Sequence, residues 1–185
     1  MSAEPGAAVG NARLQVRAAL ESDLPAITAI YNDAVVNTTA TFDLAPRAEA
    51  EQAAWFREHG PRHPILVAEE GGRVAGWASL SAWSGRCAYA NTAELSVYVA
   101  EGSRGRGVGR RLAEAVLAAG REAGLHTVLS RIAEGSDASV RLHEALGFRK
   151  VGVMREVGRK FGRLLDVQLY QYFYGSDGKQ ENPSA

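Results

Sequence analysis

The stretch Ser103-Arg104-Gly105-Arg106-Gly107-Val108-Gly109-Arg110-Arg111 concentrates four arginines at the start of a helical pattern that runs from Val108 to about Ala123. A helix N-terminus is already positive, so cations gathered there are misplaced unless an anion joins them. Three glycines let the backbone turn tightly and leave amide N–H groups free for that same anion. A phosphate or pyrophosphate fits. The nucleotide pattern G-x-x-x-x-G-K-[ST] is absent, because Arg110 and Arg111 follow Gly109, and the dinucleotide spacing G-x-G-x-x-G is absent as well. Taken alone, the stretch also reads as a glycine-rich turn with solvated arginines.

Three further side chains have the types that acid–base and recognition chemistry need. Glu94 opens the apolar run Leu95 to Ala100. A carboxylate there is costly if buried without purpose, so it is the first candidate for a general base, against a plain solvated strand-end acid. His143 sits one turn after Val140 and near Leu146 on a short helical pattern. It is a second candidate for catalysis, as base, orienting group or proton relay, against a satisfied core histidine. Arg86, in a loop with Ser84 and Gly85, has the two-pronged geometry that binds carboxylates, against an exposed loop arginine. Phe42 and Trp83 are candidates to wall a pocket. No metal site is expected, since Gly60 and Pro61 break the helix between His59 and His63. Cys87 reads as packing.

The elements that must position these groups follow from periodicity and punctuation. Leu14 to Ala18 alternates as an opening strand, and Ser22 or Asp23 can cap a helix with Leu24, Ile27, Ile30 and Tyr31 on one side. A loop from Thr38 to Pro46 precedes a second helix from about Arg47 to His59. Ile65 to Ala68 and Val74 to Ala82 are strands joined at Glu70-Gly71-Gly72-Arg73. Ala93 to Ala100 is a strand, and the arginine-rich helix ends at Gly124. Thr127 to Ile132 is a buried strand, followed by a short helix from Ser136 or Asp137 to Gly147. Phe148 to Val157 and Leu164 to Tyr174 complete the order β-α-α-β-β-β-α-β-α-β-β. This is one α/β domain with a mixed sheet and helices on both faces.

Length and composition set bounds. The 185 residues suit one domain spanning 13–174, with disordered tails at 1–12 and 175–185. A formal net charge of zero argues against bulk nucleic-acid or anionic-membrane binding. One cysteine excludes an internal disulfide framework, and no run is long enough to span a bilayer. Met1 to Asn11 does not read as a signal peptide, so the cytoplasm is the expected compartment.

The run Arg104-x-x-Gly107-x-Gly109 resembles the pyrophosphate loop of the GNAT N-acetyltransferases, and the element order matches their fold over about residues 13–173. Ser139-Val140-Arg141-Leu142-His143-Glu144-Ala145-Leu146-Gly147-Phe148 is similar to a string of the phosphinothricin and methionine sulfoximine acetyltransferase branch. So are Ala93-Glu94-Leu95-Ser96-Val97-Tyr98-Val99 and Lys160-x-Gly162-x-x-x-Asp166-Val167.

The resemblance implies acetyl-coenzyme A as cofactor and direct transfer to an amine. It implies that a bulge splays the central strand, that the backbone of Val97, Tyr98 and Val99 faces the acetyl and pantetheine arm, and that Gly105, Arg106, Gly107, Val108, Gly109 and Arg110, with Arg104, cradle the pyrophosphate. Ser136 stands near the coenzyme arm. Ser84, Gly85, Arg86, Glu94, Leu95 and Ser96 line an acceptor pocket. Lys160 and Asp166 fall in a hairpin used at a homodimer contact. The branch usually carries asparagine where Ser136 stands and tryptophan where Leu164 stands. The expected acceptor is the α-amine of a small amino acid or analogue. A protein N-terminus or a polyamine remains open as acceptor, as does a non-catalytic acyl-coenzyme A sensor.

Overall fold

The computed structural model describes residues 13–175. Its elements are β1 (Gln15–Ala18), α1 (Leu24–Asn37), α2 (Glu49–Arg57), β2 (Ile65–Glu70), β3 (Arg73–Ala82), β4 (Thr92–Val99), α3 (Val108–Glu122), β5 (Thr127–Ala133), α4 (Asp137–Ala145), β6 (Arg149–Lys160) and β7 (Arg163–Phe173). This is the expected order. One seven-stranded sheet runs β1-β2-β3-β4-β5-β7-β6, antiparallel throughout except between β4 and β5. The tails expected at 1–12 and 175–185 lie outside the described residues, Gly175 apart.

Two apolar layers sandwich the sheet. Under α3, Leu112, Val116 and Leu117 meet Ala78, Leu80, Leu95, Val128 and Ile132. Under α1 and α2, Ile27, Tyr31 and Val35 meet Val67 and Trp77. Helix α3 forms because its buried residues, Val108, Leu112, Ala113, Val116, Leu117 and Gly120, recur at helical spacing along one stripe. A single buried leucine of this kind contributes roughly 1.5–3 kcal/mol. Gly107 at φ +82° begins the helix and Gly124 at φ +74° follows its end.

Three boundaries differ from the sequence reading. Asp23 does not cap α1. Its carboxylate turns back to accept two bonds from the Arg17 guanidinium, at 2.7 and 2.9 Å, and one from the Leu20 N–H. Helix α2 begins at Glu49 rather than Arg47, because the Arg47 backbone is held by Asn32 of α1 in both directions. Strand β6 extends to Lys160 and turns through Phe161 and Gly162, both with positive φ.

The loop 38–48 is strapped onto the sheet. Lys160, only 3% exposed, donates from Nζ to the Thr41 carbonyl at 2.7 Å. The Phe42 ring lies against Gly158, where any Cβ would run into it. Gly158→Ala should therefore overpack this contact and cost about 1–3 kcal/mol by urea denaturation. Unchanged stability would show that the Phe42 ring has no fixed seat.

Candidate active site

Strands β4 and β5 pair only over Thr92↔Thr127, Ala93↔Val128 and Glu94↔Leu129. Beyond Glu94 each follows its outer neighbour, β4 with β3 to Val99 and β5 with β7 to Ala133. A slit opens between them. The expected bulge is not its cause, since the β3–β4 ladder runs from Ala82↔Ala93 to Gly76↔Val99 without a register shift.

The ladder's phase decides which backbone groups face the slit. Ala100 donates to the Ala75 carbonyl and Trp83 to the Thr92 carbonyl. Residues of β4 sharing their parity therefore direct both backbone groups at β3, and alternate residues direct theirs the other way. Leu95, Val97 and Val99 thus turn N–H and C=O toward the slit, while the Tyr98 backbone belongs to the β3 ladder. By the same reasoning Arg131 and Ala133 face the slit from β5, since Glu134 donates to the Asp166 carbonyl and Tyr174 to that of His126.

A cavity of about 1050 Å³ fills this slit and reaches both faces of the sheet. At one end lies the start of α3. Its first helical bond runs from the Arg111 N–H to the Gly107 carbonyl. The amides of Gly107, Val108, Gly109 and Arg110 therefore have no acceptor within the helix. Arg104, Gly105, Gly107, Val108, Gly109 and Arg110 line the cavity, as does Ser136 at the start of α4. Arg106 does not line it, because its guanidinium grips Glu70 of β2 at 2.9 and 2.6 Å. Arg104 reaches the Val99 carbonyl and Asp33, and Arg110 pairs with Glu114. Free helix-start amides beside two lining arginines form a cradle of the kind a pyrophosphate needs.

Glu94 and Arg131 bridge the slit where it opens. The guanidinium donates from Nε and Nη2 to both carboxylate oxygens at 2.6 Å. Ion pairing raises the Arg131 pKa, so this cation is permanent. Glu94, Ser96 and Tyr98 share the face of α1 and α2, as do Ser79 and Trp77 directly across the β3 ladder. On the opposite face, His143 is 4% exposed. Its Nδ1 lies 2.7 Å from the Ser139 carbonyl, which fixes that nitrogen as donor, and its Nε2 accepts from the Ser130 hydroxyl at 2.8 Å. Burial among Phe148 and Tyr170 pushes His143 below its ordinary value, so the ring is neutral.

On the α1 face, the Tyr31 hydroxyl contacts Asp43 at 2.6 Å and Thr41 at 2.9 Å, and Arg47 stacks 4.3 Å from the Tyr31 ring. Phe42, Ser96, Trp55 and Trp77 complete this wall, while Leu95 lines the cavity from the α3 face. Trp77 Nε1 and Ser79 Oγ are buried beside the cavity without a hydrogen-bond partner among the described residues.

The structure thus brings together Glu94, His143, Phe42, Leu95, Ser96, the slit backbone, the α3 start and Ser136. It does not bring Ser84, Gly85 or Arg86 to the cavity lining; Arg86 is exposed on the β3–β4 loop. Leu164 is exposed on the β6–β7 hairpin and outside the lining. Lys160 points inward rather than to a surface, and Asp166 accepts from the Glu156 N–H and pairs with Arg155. Cys87 is exposed rather than packed. Sequence reading passed over Ser130 and Arg131, whose signal was two polar residues inside an otherwise apolar strand. Among the described residues no three metal-ligating side chains come together, and no helix is long and apolar enough to cross a membrane.

Comparison with known proteins agrees with this geometry. Residues 27–148 match the acetyltransferase (GNAT) family. The L-methionine sulfoximine/L-methionine sulfone acetyltransferase of Pseudomonas paraeruginosa is 44% identical over 158 residues, covering 84% of this chain and 92% of that protein. The phosphinothricin N-acetyltransferase of Streptomyces coelicolor is 41% identical, covering 88% and 97%. The crystal structure of a GNAT superfamily phosphinothricin acetyltransferase from Sinorhizobium meliloti in complex with acetyl-coenzyme A superposes with a TM-score of 0.84 at 36% identity, covering 88% of this chain and 89% of that one.

The depressed His143 has a consequence for stability. The unfolded chain takes up a proton near the ordinary value of 6.5, whereas the folded chain does so only at lower pH. Stability therefore falls as pH drops below that value. Urea denaturation at about pH 7.5 and about pH 5.5 should show the loss, and His143→Gln should narrow it. His59 and His63, depressed by burial as well, account for the remainder. An unchanged gap in the variant would assign the proton uptake to other groups.

Proposed function

The chain belongs to the acetyltransferase (GNAT) family, and we propose that it acetylates the α-amine of a small amino acid or analogue, led by methionine sulfoximine, methionine sulfone and phosphinothricin. It is an acetyl-coenzyme A-dependent N-acetyltransferase. The observation that carries the reading is the slit, with an anion cradle at the α3 start and a carboxylate, Glu94, where the strands part. Acetyl-coenzyme A supplies the activated thioester.

The residues divide the remaining work. Amides at the α3 start, with Arg104 and Arg110, hold the pyrophosphate, and Ser136 borders the arm. N–H groups of Leu95, Val97 and Val99 face the slit as donors for the oxygen on which charge develops. The amine must lose a proton to attack, and Glu94 takes it, directly or through water. His143, held neutral, accepts the Ser130 hydroxyl hydrogen bond at Nε2 and orients that side of the slit. Phe42, Ser96 and the aromatic wall enclose the acceptor side chain. The unpartnered Trp77 N–H and Ser79 hydroxyl favour an acceptor bearing a hydrogen-bond-accepting oxygen, as sulfone, sulfoximine and phosphinate groups do.

The enzyme is read as a cytoplasmic homodimer that confers resistance to such inhibitors. The exposed apolar side chains Val157, Phe161 and Leu164 on the β6–β7 hairpin support a second copy as the covering partner.

Thiol release from acetyl-coenzyme A, measured over a panel of methionine sulfoximine, methionine sulfone, phosphinothricin, ordinary amino acids, polyamines and a short peptide, tests the acceptor. Turnover confined to polyamines or peptide would overturn the reading. Glu94→Gln should lower kcat about 10²–10⁴-fold. Calorimetry should find acetyl-coenzyme A affinity unchanged, since Glu94 lies away from the α3 cradle. Undiminished turnover would remove Glu94 as the base.

A further inference from the structure

We infer that Arg131 is the anchor for the α-carboxylate of the acceptor, and that the Glu94–Arg131 ion pair is a template for an amino-acid zwitterion. The inference deepens the proposed acceptor class and rests on it. Four arginines line the cavity: Arg47, Arg104, Arg110 and Arg131. Arg47 is committed to Asp43, the Tyr31 hydroxyl and Gln52, and is stacked on the Tyr31 ring. Arg104 and Arg110 belong to the α3 start. Arg131 alone of the four stands beside Glu94, on the face of the sheet that carries the aromatic wall. Its side chain is 53% exposed, its guanidinium carbon lies 5.7 Å from the Trp83 ring, and its Nη1 has no partner among the described residues. Arg86, the residue whose type first suggested carboxylate binding, is absent from the lining.

The resting pair explains why an amino acid suits this site better than a simple amine. Both Glu94 oxygens are occupied by Arg131, so Glu94 must release a bond before it can accept a proton. An incoming α-ammonium pairs with Glu94 and displaces the guanidinium. An α-carboxylate on the same molecule then receives that guanidinium in the same two-pronged geometry. No charge is left unpaired. An amine without a carboxylate would strand Arg131 in a partly desolvated slit, which is unfavourable. Specificity thus arises from the penalty on the wrong acceptor as much as from attraction to the right one.

The experiment compares methionine sulfone with 3-(methylsulfonyl)propylamine, the matched amine lacking the carboxylate. It uses wild type, Arg131→Met, Arg131→Lys and Arg86→Ala. Failure of wild type to turn over any α-amino acid would overturn the proposed function itself. Where wild type is active, Arg131→Met should raise KM for methionine sulfone about tenfold or more, the loss expected for a charged hydrogen-bonded pair. KM for the matched amine should fall, since no guanidinium is left to strand, and KM for acetyl-coenzyme A should stay level. Arg131→Lys, which keeps the charge but not the fork, should fall between. Any change in the basicity of Glu94 acts on both acceptors alike, so the ratio of the two isolates the carboxylate contact. Calorimetric titration of methionine sulfone into the coenzyme A-bound enzyme should show the same order of affinities. An unchanged ratio in both Arg131 variants overturns the inference, and its collapse in Arg86→Ala would give the role to Arg86.

Discussion

Everything at this site depends on two parallel strands that stop pairing after three residues. Backbone N–H and C=O groups in a sheet interior normally find partners, and leaving them unmet is costly. Past Glu94, Leu95, Val97 and Val99 on one side and Arg131 and Ala133 on the other present such groups to a gap, the Val99 carbonyl being met by Arg104. The sheet tolerates this because neither strand depends on the other. Strand β4 keeps an unbroken ladder with β3, and β5 keeps one with β7. Beneath the gap, Gly109 of α3 lies near Val97 and Val99 of β4 and Leu142 of α4, so both helices close on the same opening.

The slit also sorts chemistry by face. Alternation along β4 and β5 sends Glu94, Ser96, Tyr98 and Arg131 toward α1 and α2, and Ser130 toward α4. On the proposed reading the two reactants approach from opposite faces and meet only within the gap, which favours direct transfer without an acyl-enzyme. Cys87, exposed on the β3–β4 loop, is outside the cavity lining. The α1 side of the cavity is made firm by ties to distant elements: Lys160 to Thr41, the Tyr98 hydroxyl to the Ala40 carbonyl, and Tyr31 to Asp43.

Strand and helix order was legible in the sequence because each element carries its own period and its own stop, as Gly71-Gly72 and Gly124 do. The helix start at Val108 was legible because glycines and arginines gather between a strand and an amphipathic run, a position that weighs against a plain glycine-rich turn. What escaped was decided by contacts far apart in sequence. Asp23 looks like a cap, yet Arg17 and the Leu20 amide claim it. Lys160 looks like a surface residue of a hairpin, yet a loop carbonyl 119 positions away holds it inside. Ser130 and Arg131 were hidden in a strand that reads as buried. Strand alternation turns one toward His143 and the other toward Glu94, and nothing local announces either partner.

Three of the four arginines that first called for an anion already have carboxylates, as do Arg47 and Arg131, while Arg111 reaches only the Leu14 carbonyl. Arg104 meets Asp33, Arg106 meets Glu70, Arg110 meets Glu114, Arg47 meets Asp43 and Arg131 meets Glu94. This agrees with a chain of 21 basic and 21 acidic residues and zero formal charge. A site built this way is not a bare positive patch that attracts any polyanion. On the proposed reading ligands enter by exchanging partners, and the exposed pairs of Arg104 and Arg110 contribute at most about 1 kcal/mol each, so exchange at the α3 start is inexpensive. The exchange leaves displaced carboxylates behind. At the α3 start, Asp33 and Glu114 can turn to solvent. At the slit, the displaced carboxylate is Glu94, which remains beside the amine. On the proposed reading, the exchange that seats the acceptor also frees the base that activates it.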